Sequence, residues 1–429
     1  MSLTHEFYNL NKIRQAIPAL SQIHHQQPVA YFNGPGGTQV PRCVPEAMSH
    51  YLFETNSNLG APFPASQRTA EIMEEARRAV AAFFHAKDWR EISFGLNMTS
   101  VVFQFSRALA NTWKPGDNII LTELEHDSNL SPWILAAQEK GVEIRYWPIE
   151  LNNITLNLED LAPLLDARTR LVAMTMASNL VGSIVDVALA TRMAKQVGAN
   201  VFIDATHACA HMPIDVQAMG CDFMACSGYK FSGPHVGIFY GRQESMQEVP
   251  AYKTPYAADN NPSKWELGTQ NFESLAGLSA ILKYKAKMVG DGALTTENLH
   301  AAMQAIYDYE RQLISRFLTG LNTNSLLSNF DRYGLFSLED LHKRTPTFAL
   351  SIKHQSPNET AHLLAQEGLF TAGGSFHCSG LVQRMGREKA GGVLRIGFAY
   401  YTTEEEIDRL LDAMARCVRL QNTTCALAE

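Results

Sequence analysis

"CDFMACSGYKFSGPHVGIFYG", residues 221–241, decides the architecture. An apolar run, "CDFMACS", reads as a strand. A short loop with two glycines follows, and then a second apolar run, "VGIFYG". Lys230 sits in that loop, directly after a strand end. A lysine taken out of water there has a lowered pKa and is able to form a Schiff base.

Upstream, the pattern alternates between two periods from about residue 66. "SQRTAEIMEEARRAVAAFFH", "TSVVFQFSRALANTW", "PWILAAQEKG", "NLEDLAPLLD" and "VDVALATRMAKQVG" carry helical spacing. "EISF", "NIILTE", "VEIRYWPI", "RLVAMTMAS" and "NVFID" read as strands. Strands alternating with helices predict an α/β fold with a mainly parallel sheet wrapped by helices. Ligands of such sheets bind at the carboxyl ends of the strands. After the polar break "NNPSKWELGTQN" come two long helical stretches, then a mixed texture. That predicts a smaller α+β domain from about residue 290.

The chain has 429 residues with 46% hydrophobic and 18% charged, enough apolar material for more than one core. A net charge of -7 without a basic run argues against nucleic acid, so an anionic ligand needs a local site. No apolar run has membrane-spanning length, and the N-terminal stretch lacks a signal core. Seven cysteines without a CxxC pair predict reduced thiols in the cytoplasm.

The strand ends carry the chemistry. "NMTS" opens a helix with Met98 and Thr99, and a helix N-terminus holds anions. His126 follows "NIILT", Asn179 follows "LVAMTM", Asp204 ends "VFID", and Ser227 and Lys230 follow "FMAC". Taken singly, these are a helix cap, a structural histidine, a turn asparagine and a buried carboxylate in want of a donor. Taken together they are the set that pyridoxal phosphate requires. A lysine condenses with the aldehyde, an aspartate pairs with the pyridine nitrogen, a ring stacks, and hydroxyls with backbone amides hold the phosphate. "HACAH" (207–211) lacks the glutamate of a zinc helix, and no metal is expected.

With these motifs in order, the sequence resembles the class V aminotransferase-fold enzymes that use pyridoxal phosphate. Within them it is similar to the cysteine desulfurase and selenocysteine lyase group. "LTELEHDSNLSPW" resembles that group's "EHHSN…PW", which implies that His126 stacks on the cofactor. "SNLVGS" implies Asn179 on the ring oxygen. "DATHA" implies Asp204 on the pyridine nitrogen and His207 near the ring hydroxyl. "CSGYKFSGPHVGIFYG" implies Ser227 on the phosphate and Lys230 as the Schiff-base lysine. "WELGTQN" implies Thr269 reaching a phosphate across a dimer interface, and "LRIGFAYYTTEEEIDRLL" implies Arg395 on the substrate carboxylate. The likeness runs from about residue 29 to 415. It implies the aspartate aminotransferase-like fold type I. The expected division is an N-terminal segment (1–28) packing on the small domain, a large cofactor-binding domain (29–290) and a small C-terminal domain (291–429). A homodimer with composite sites, a small amino-acid substrate and a sulfur-acceptor protein are implied with it.

The activity implied is removal of sulfur or selenium from L-cysteine or L-selenocysteine, with Cys378 as the thiol. "TAGGSFHCSGL", residues 371–381, reads as an exposed loop that carries it. The group's "R-x-G-H-H-C" is incomplete here: the arginine is missing and only His377 of the two histidines remains. Tyr229 replaces a histidine before the lysine, and "NMTS" replaces a Gly-Thr-Thr turn. "YFNGPGGTQVP", "NSNLGAP" and "GLFTAGGSFH" resemble a desulfurase-like branch whose members need not place a cysteine here. An aminotransferase, epimerase or kynureninase-like lyase without persulfide chemistry, and a catalytically weak binder of the cofactor, stay open. Asn33 is a candidate for the substrate side of the pocket, and Arg68 a residue whose reach is open.

Overall fold

A computed structural model describes residues 8–428, with side chains through Gln421. Seven strands form the large sheet: β1 (Ile92–Gly95), β2 (Asn118–Thr122), β3 (Glu143–Trp147), β4 (Thr169–Thr175), β5 (Asn200–Asp204), β6 (Phe223–Ser227) and β7 (Gly237–Gly241). Their order across the sheet is β1-β7-β6-β5-β4-β2-β3. All pairs from β6 to β3 are parallel, while β7 runs antiparallel to both β6 and β1. Only a short turn is needed between β6 and β7 because the chain reverses there. Lys230 rides on that turn.

Both faces of the sheet are covered, which is why its strands read as continuous apolar runs. Side chains alternate between the two faces. Phe202, Phe223, Ala225 and Phe239 pack with Phe105 and Trp133 on one side. Ile203, Met224, Cys226 and Ile238 join Val80, Phe84 and Leu278 on the other. Helix α1 (Pro64–Phe84) and helix α2 (Met98–Ala110) lie on opposite faces, as their buried residues divide between those two clusters. The expected helix "NLEDLAPLLD" shrinks to Leu158–Leu161 and a tighter turn at Ala162–Leu164. Pro163 lacks the N–H that would continue it.

Helices α3 (Phe272–Ala286) and α4 (Thr296–Thr323) lead to a second, four-stranded antiparallel sheet. Its strands are β8 (Phe330–Tyr333), β9 (Thr347–Ile352), β10 (Ala372–Gly374) and β11 (Val393–Gly397), in the order β8-β9-β11-β10. Phe317, Phe348, Leu350, Ile396 and Phe398 form a core of their own. Ala30 and Phe32 belong to that core, and Ala30–Tyr31 pairs with Leu369–Phe370. Tyr8 donates from its hydroxyl to the Tyr400 carbonyl, and Arg14 bonds Tyr401 O at 2.6 Å and Glu406 at 2.8 Å. Glu406 also accepts from Thr403 N at 2.9 Å while Thr403 Oγ1 accepts from Glu406 N at 3.1 Å. This is a capping box at the start of the last helix, Glu404–Ala428.

The stretch 371–381 corrects the sequence reading. It is β10, a tight turn, and a short helix α5 (Ser379–Arg384), with Cys378 at the helix N-cap and 0% exposed. The glycines and polar residues that look like a loop are there to turn the chain sharply against the large sheet.

Candidate active site

The carboxyl ends of β4, β5 and β6 open into one cavity. Met98, Thr99, His126, Asn179, Asp204, His207, Ser227 and Lys230 line it, together with Ser128, Thr175, Thr206 and Tyr229. Every residue named from a strand end therefore converges on one place. Of these, Thr206 and Tyr229 neighbour a named residue in sequence and Thr175 ends a strand, so position was their signal.

Burial pulls the Lys230 amine down to about 7, the Arg395 guanidinium adds to the effect, and Asp204 opposes it. The amine donates to the Pro35 carbonyl and lies 4.9 Å from the Tyr229 ring centroid. Burial raises the Asp204 carboxyl, which accepts from Thr206 N at 2.8 Å. No side chain forms an ion pair with it among the described residues. The Thr206 side chain offsets part of the burial effect on that carboxyl. A buried carboxylate short of a cation suits a ligand that brings a protonated ring nitrogen.

His126 Nδ1 accepts from Ser128 N at 3.0 Å, which leaves its proton on Nε2. Burial, then Lys230, pulls its pKa down to about 4, so the ring is neutral and suited to stacking. Ser227 Oγ accepts from Met98 N at 3.0 Å, at the first residue of α2. Its own proton and the amides of that helix end are what a phosphate needs. His207 Nε2 lies 3.0 Å from Thr345 Oγ1 and 3.1 Å from Thr347 Oγ1, and burial keeps the ring well below its ordinary pKa. Its neighbour His211 is paired with Glu310 at 3.0 Å, so "HACAH" is spent on buried hydrogen bonds. Glu125 was missed by the sequence reading. Its buried carboxyl, pushed up to about 8 by desolvation, accepts from Thr122 Oγ1, Thr175 N and Asn129 Nδ2. It braces the turn that presents His126.

The substrate side is assembled by the second sheet. Arg395, on β11, is 3% exposed. It donates from Nη1 to Asn179 O at 3.1 Å and from Nη2 to Asn33 Oδ1 at 3.0 Å. Burial brings it down to about 10, and its Nε has no partner. Asn33 and Arg395 thus stand together, as expected of a carboxylate site. Cys378 donates from Sγ to Asn179 Oδ1 at 3.0 Å, and burial pushes its thiol up to about 12. The expectation of an accessible thiol is overturned, because the turn folds inward and α5 seals over it.

Two residues lie elsewhere. Thr269 is exposed and absent from the cavity wall. Arg68 is on the surface of α1, paired with Glu71 and Glu75 at 2.9 Å each. The cavity residues fit pyridoxal phosphate: an amine able to be neutral, a carboxylate lacking a cation, a neutral ring, and a helix end with a free hydroxyl.

The family described as Aminotransferase class-V matches residues 30–410. A cysteine desulfurase of Dickeya dadantii is 30% identical over 432 residues, covering 97% of this chain and 98% of the relative. One of Serratia proteamaculans is 30% identical over 430 residues, with 96% and 99% covered. Among solved structures, the apo cysteine desulfurase from Thermococcus onnurineus NA1 superposes with a TM-score of 0.83 at 26% identity, covering 95% of this chain and 98% of that one. A cysteine desulfurase from Escherichia coli in its S-sulfonic acid form gives 0.81 at 25% identity, with 96% and 99% covered.

Proposed function

This chain belongs to the class V aminotransferase family, and from that premise we propose that it is a pyridoxal phosphate enzyme of the cysteine desulfurase type. It takes sulfur from L-cysteine, or selenium from L-selenocysteine, and releases alanine. The observation that carries this reading is the Cys378 thiol, held 3.0 Å from Asn179 Oδ1 at the wall of the Lys230 cavity.

Pyridoxal phosphate supplies an aldehyde that captures the substrate amine and a ring that stabilises negative charge at Cα. The protein does the rest. Asp204 would keep a positive charge on the ring nitrogen, the His126 ring would cover the cofactor, and Ser227 with the start of α2 would hold the phosphate. Arg395 and Asn33 orient the α-carboxylate, for which the unpartnered Nε offers one of two donors. Lys230 Nζ, brought down to about 7 so that a large share of it is neutral at neutral pH, takes the Cα proton. Cys378 must give up its proton before it can act, since the thiolate is the nucleophile. Its sulfur then bonds the substrate sulfur, the substrate carbon–sulfur bond breaks, and a proton returned to carbon completes alanine. The persulfide on Cys378 passes to an acceptor protein or to a thiol reductant.

The burial of Cys378 favours a second reading: a lyase, epimerase or aminotransferase that needs no thiol, consistent with the missing arginine and second histidine. The exposed Phe53 (84%), Leu96 (76%) and Leu267 (54%) support a homodimer in which Thr269 serves the other subunit's phosphate. Sedimentation of the loaded protein as a monomer would remove the dimer. The separate core of the second sheet supports a distinct C-terminal domain in the division 1–28, 29–290 and 291–429, while Ala30 and Phe32 in that core argue that the N-terminal segment runs a few residues past 28. The six cysteines with described side chains are all free, which supports a reducing compartment such as the cytoplasm. No described helix is long and apolar enough to cross a membrane.

The test is a substrate screen on the loaded enzyme. L-Cysteine with a reductant yields equal amounts of alanine and sulfide if the reading holds. Failure to form either from L-cysteine, with turnover of another amino acid, transfers the assignment to the second reading.

A further inference from the structure

Phe376 lies directly over the residue that would receive the substrate. Its ring centroid is 3.7 Å from the Arg395 guanidinium carbon. Arg395 Nε is shut off from solvent and has no hydrogen-bond partner. A carboxylate arriving from outside therefore meets a guanidinium that is already covered.

The cover is held in a strained position. Phe376 has φ 56° and His377 has φ 55°, two consecutive non-glycine residues in the left-handed region. Bulky side chains occupy that region only where surrounding contacts enforce it. Here the contacts come from two residues on the large-sheet side. Asn179 Nδ2 donates to Phe376 O at 3.2 Å, and Asn179 Oδ1 accepts from Cys378 Sγ at 3.0 Å. Asp127 N donates to His377 O at 2.6 Å, and the Asp127 carboxylate accepts from Ser379 Oγ at 2.8 Å and Ser379 N at 3.2 Å. His126 and His377 rings lie 5.4 Å apart across the same seam. The segment is a strap: it runs from β10, beside Arg395's own strand, to α5, and is pinned at both of its strained residues.

We propose that Phe376 gates the carboxylate site, so that substrate reaches Arg395 only when the strap 375–378 lifts, and that the same movement uncovers the Cys378 thiol. The strap stores conformational strain that lifting releases, and the pins on Asn179 and Asp127 oppose release. Binding and thiol exposure become one event. The thiol stays protonated and out of solvent until an amino acid is present. This rests on the reading of Arg395 as the carboxylate residue.

The experiment follows L-alanine binding to the loaded enzyme by stopped-flow absorbance, with iodoacetamide labelling of Cys378 read by mass spectrometry. Phe376→Gly and Phe376→Asn both tolerate a left-handed backbone, which guards against a folding failure. Both lack the ring. Each is expected to bind L-alanine about tenfold faster, because no ring covers Arg395, while Phe376→Tyr behaves as wild type; in the wild type, saturating L-alanine is expected to speed the labelling of Cys378. Wild-type association rates in both ring-less variants overturn the gate, as does wild-type labelling that L-alanine leaves unchanged. Arg395→Met separates the premise: if it binds L-alanine as tightly as wild type, the carboxylate reading fails, whatever Phe376 does.

Discussion

Asn179 holds Cys378 and Phe376 with opposite ends of one side-chain amide, accepting from the thiol at 3.0 Å and donating to the Phe376 carbonyl at 3.2 Å. The resemblance assigns this asparagine to the cofactor's ring oxygen. In the structure it lines the cavity, and its amide is committed to the strap. In the proposed function, cofactor and strap share one residue. A change in the strap is therefore felt at the cofactor.

Replacing the thiol is the direct test of persulfide chemistry. Cys378→Ala removes one contact to a cavity residue, the thiol's bond to Asn179 Oδ1, and leaves Lys230, Asp204 and Ser227 in place. The visible absorbance of the bound cofactor should persist, while alanine formation from L-cysteine falls by on the order of 10²-fold or more, as for loss of a nucleophile acting as part of a unit. Alanine release at the wild-type rate would show that the thiol is a packing residue.

Asp204→Asn keeps the shape and removes the charge. The carboxyl is buried, accepts from Thr206 N, and has no basic side chain paired with it. Its function in the proposed reaction is to keep the ring nitrogen protonated. The variant should load cofactor but lose about 10²–10³-fold in kcat, the scale of a removed electrostatic stabiliser. The proton-abstraction step should slow with it, measured as exchange of the L-alanine Cα hydrogen in heavy water. An unchanged exchange rate refutes the assignment.

The large sheet and the strand-end residues were legible because local patterns dictate them. Apolar runs of β length alternate with helical spacing, and Asp204, Ser227 and Lys230 fall where such sheets bind ligands. The strap was not legible. "AGGSFHCSG" has the composition of an exposed turn, and only contacts with Asp127 and Asn179, about 250 and 200 residues away in sequence, fold it inward. Glu125 was missed for a related reason: a carboxylate in a polar run gives no sign that three donors will bury it. Thr269 is matched by motif alone, and the chain by itself leaves it on the surface.

Arg77 and Glu266 form a buried ion pair at 2.6 Å, 8% and 6% exposed. Glu266 also accepts from Phe94 N at 3.1 Å, so the pair ties α1, β1 and the segment bearing Thr269. Arg77→Met leaves a buried carboxylate without its cation. That should cost about 3–5 kcal/mol in denaturant unfolding. Arg77→Met with Glu266→Leu should recover part of the loss, because the stranded charge is gone. A single variant within about 0.5 kcal/mol of wild type, the range of an ordinary surface change, would show the pair to be inert.

The Lys230 amine gives a pH dependence with a defined sign. Its ordinary value is 10.5, and burial in the folded protein brings it to about 7. Only the neutral amine attacks an aldehyde. Loading of cofactor-free protein should therefore speed up as pH rises through about 7 and level off above about 8, followed by absorbance. The same shift acts on stability. Between the folded and unfolded values the unfolded chain binds more protons at this residue, so its contribution to stability rises with pH across that window and is lost as pH falls towards 7. In Lys230→Met, cofactor-free protein should lose that rise. A loading rate in the wild type that climbs only near pH 10 would mean that the amine is solvated as an ordinary lysine and that the cavity does not desolvate it.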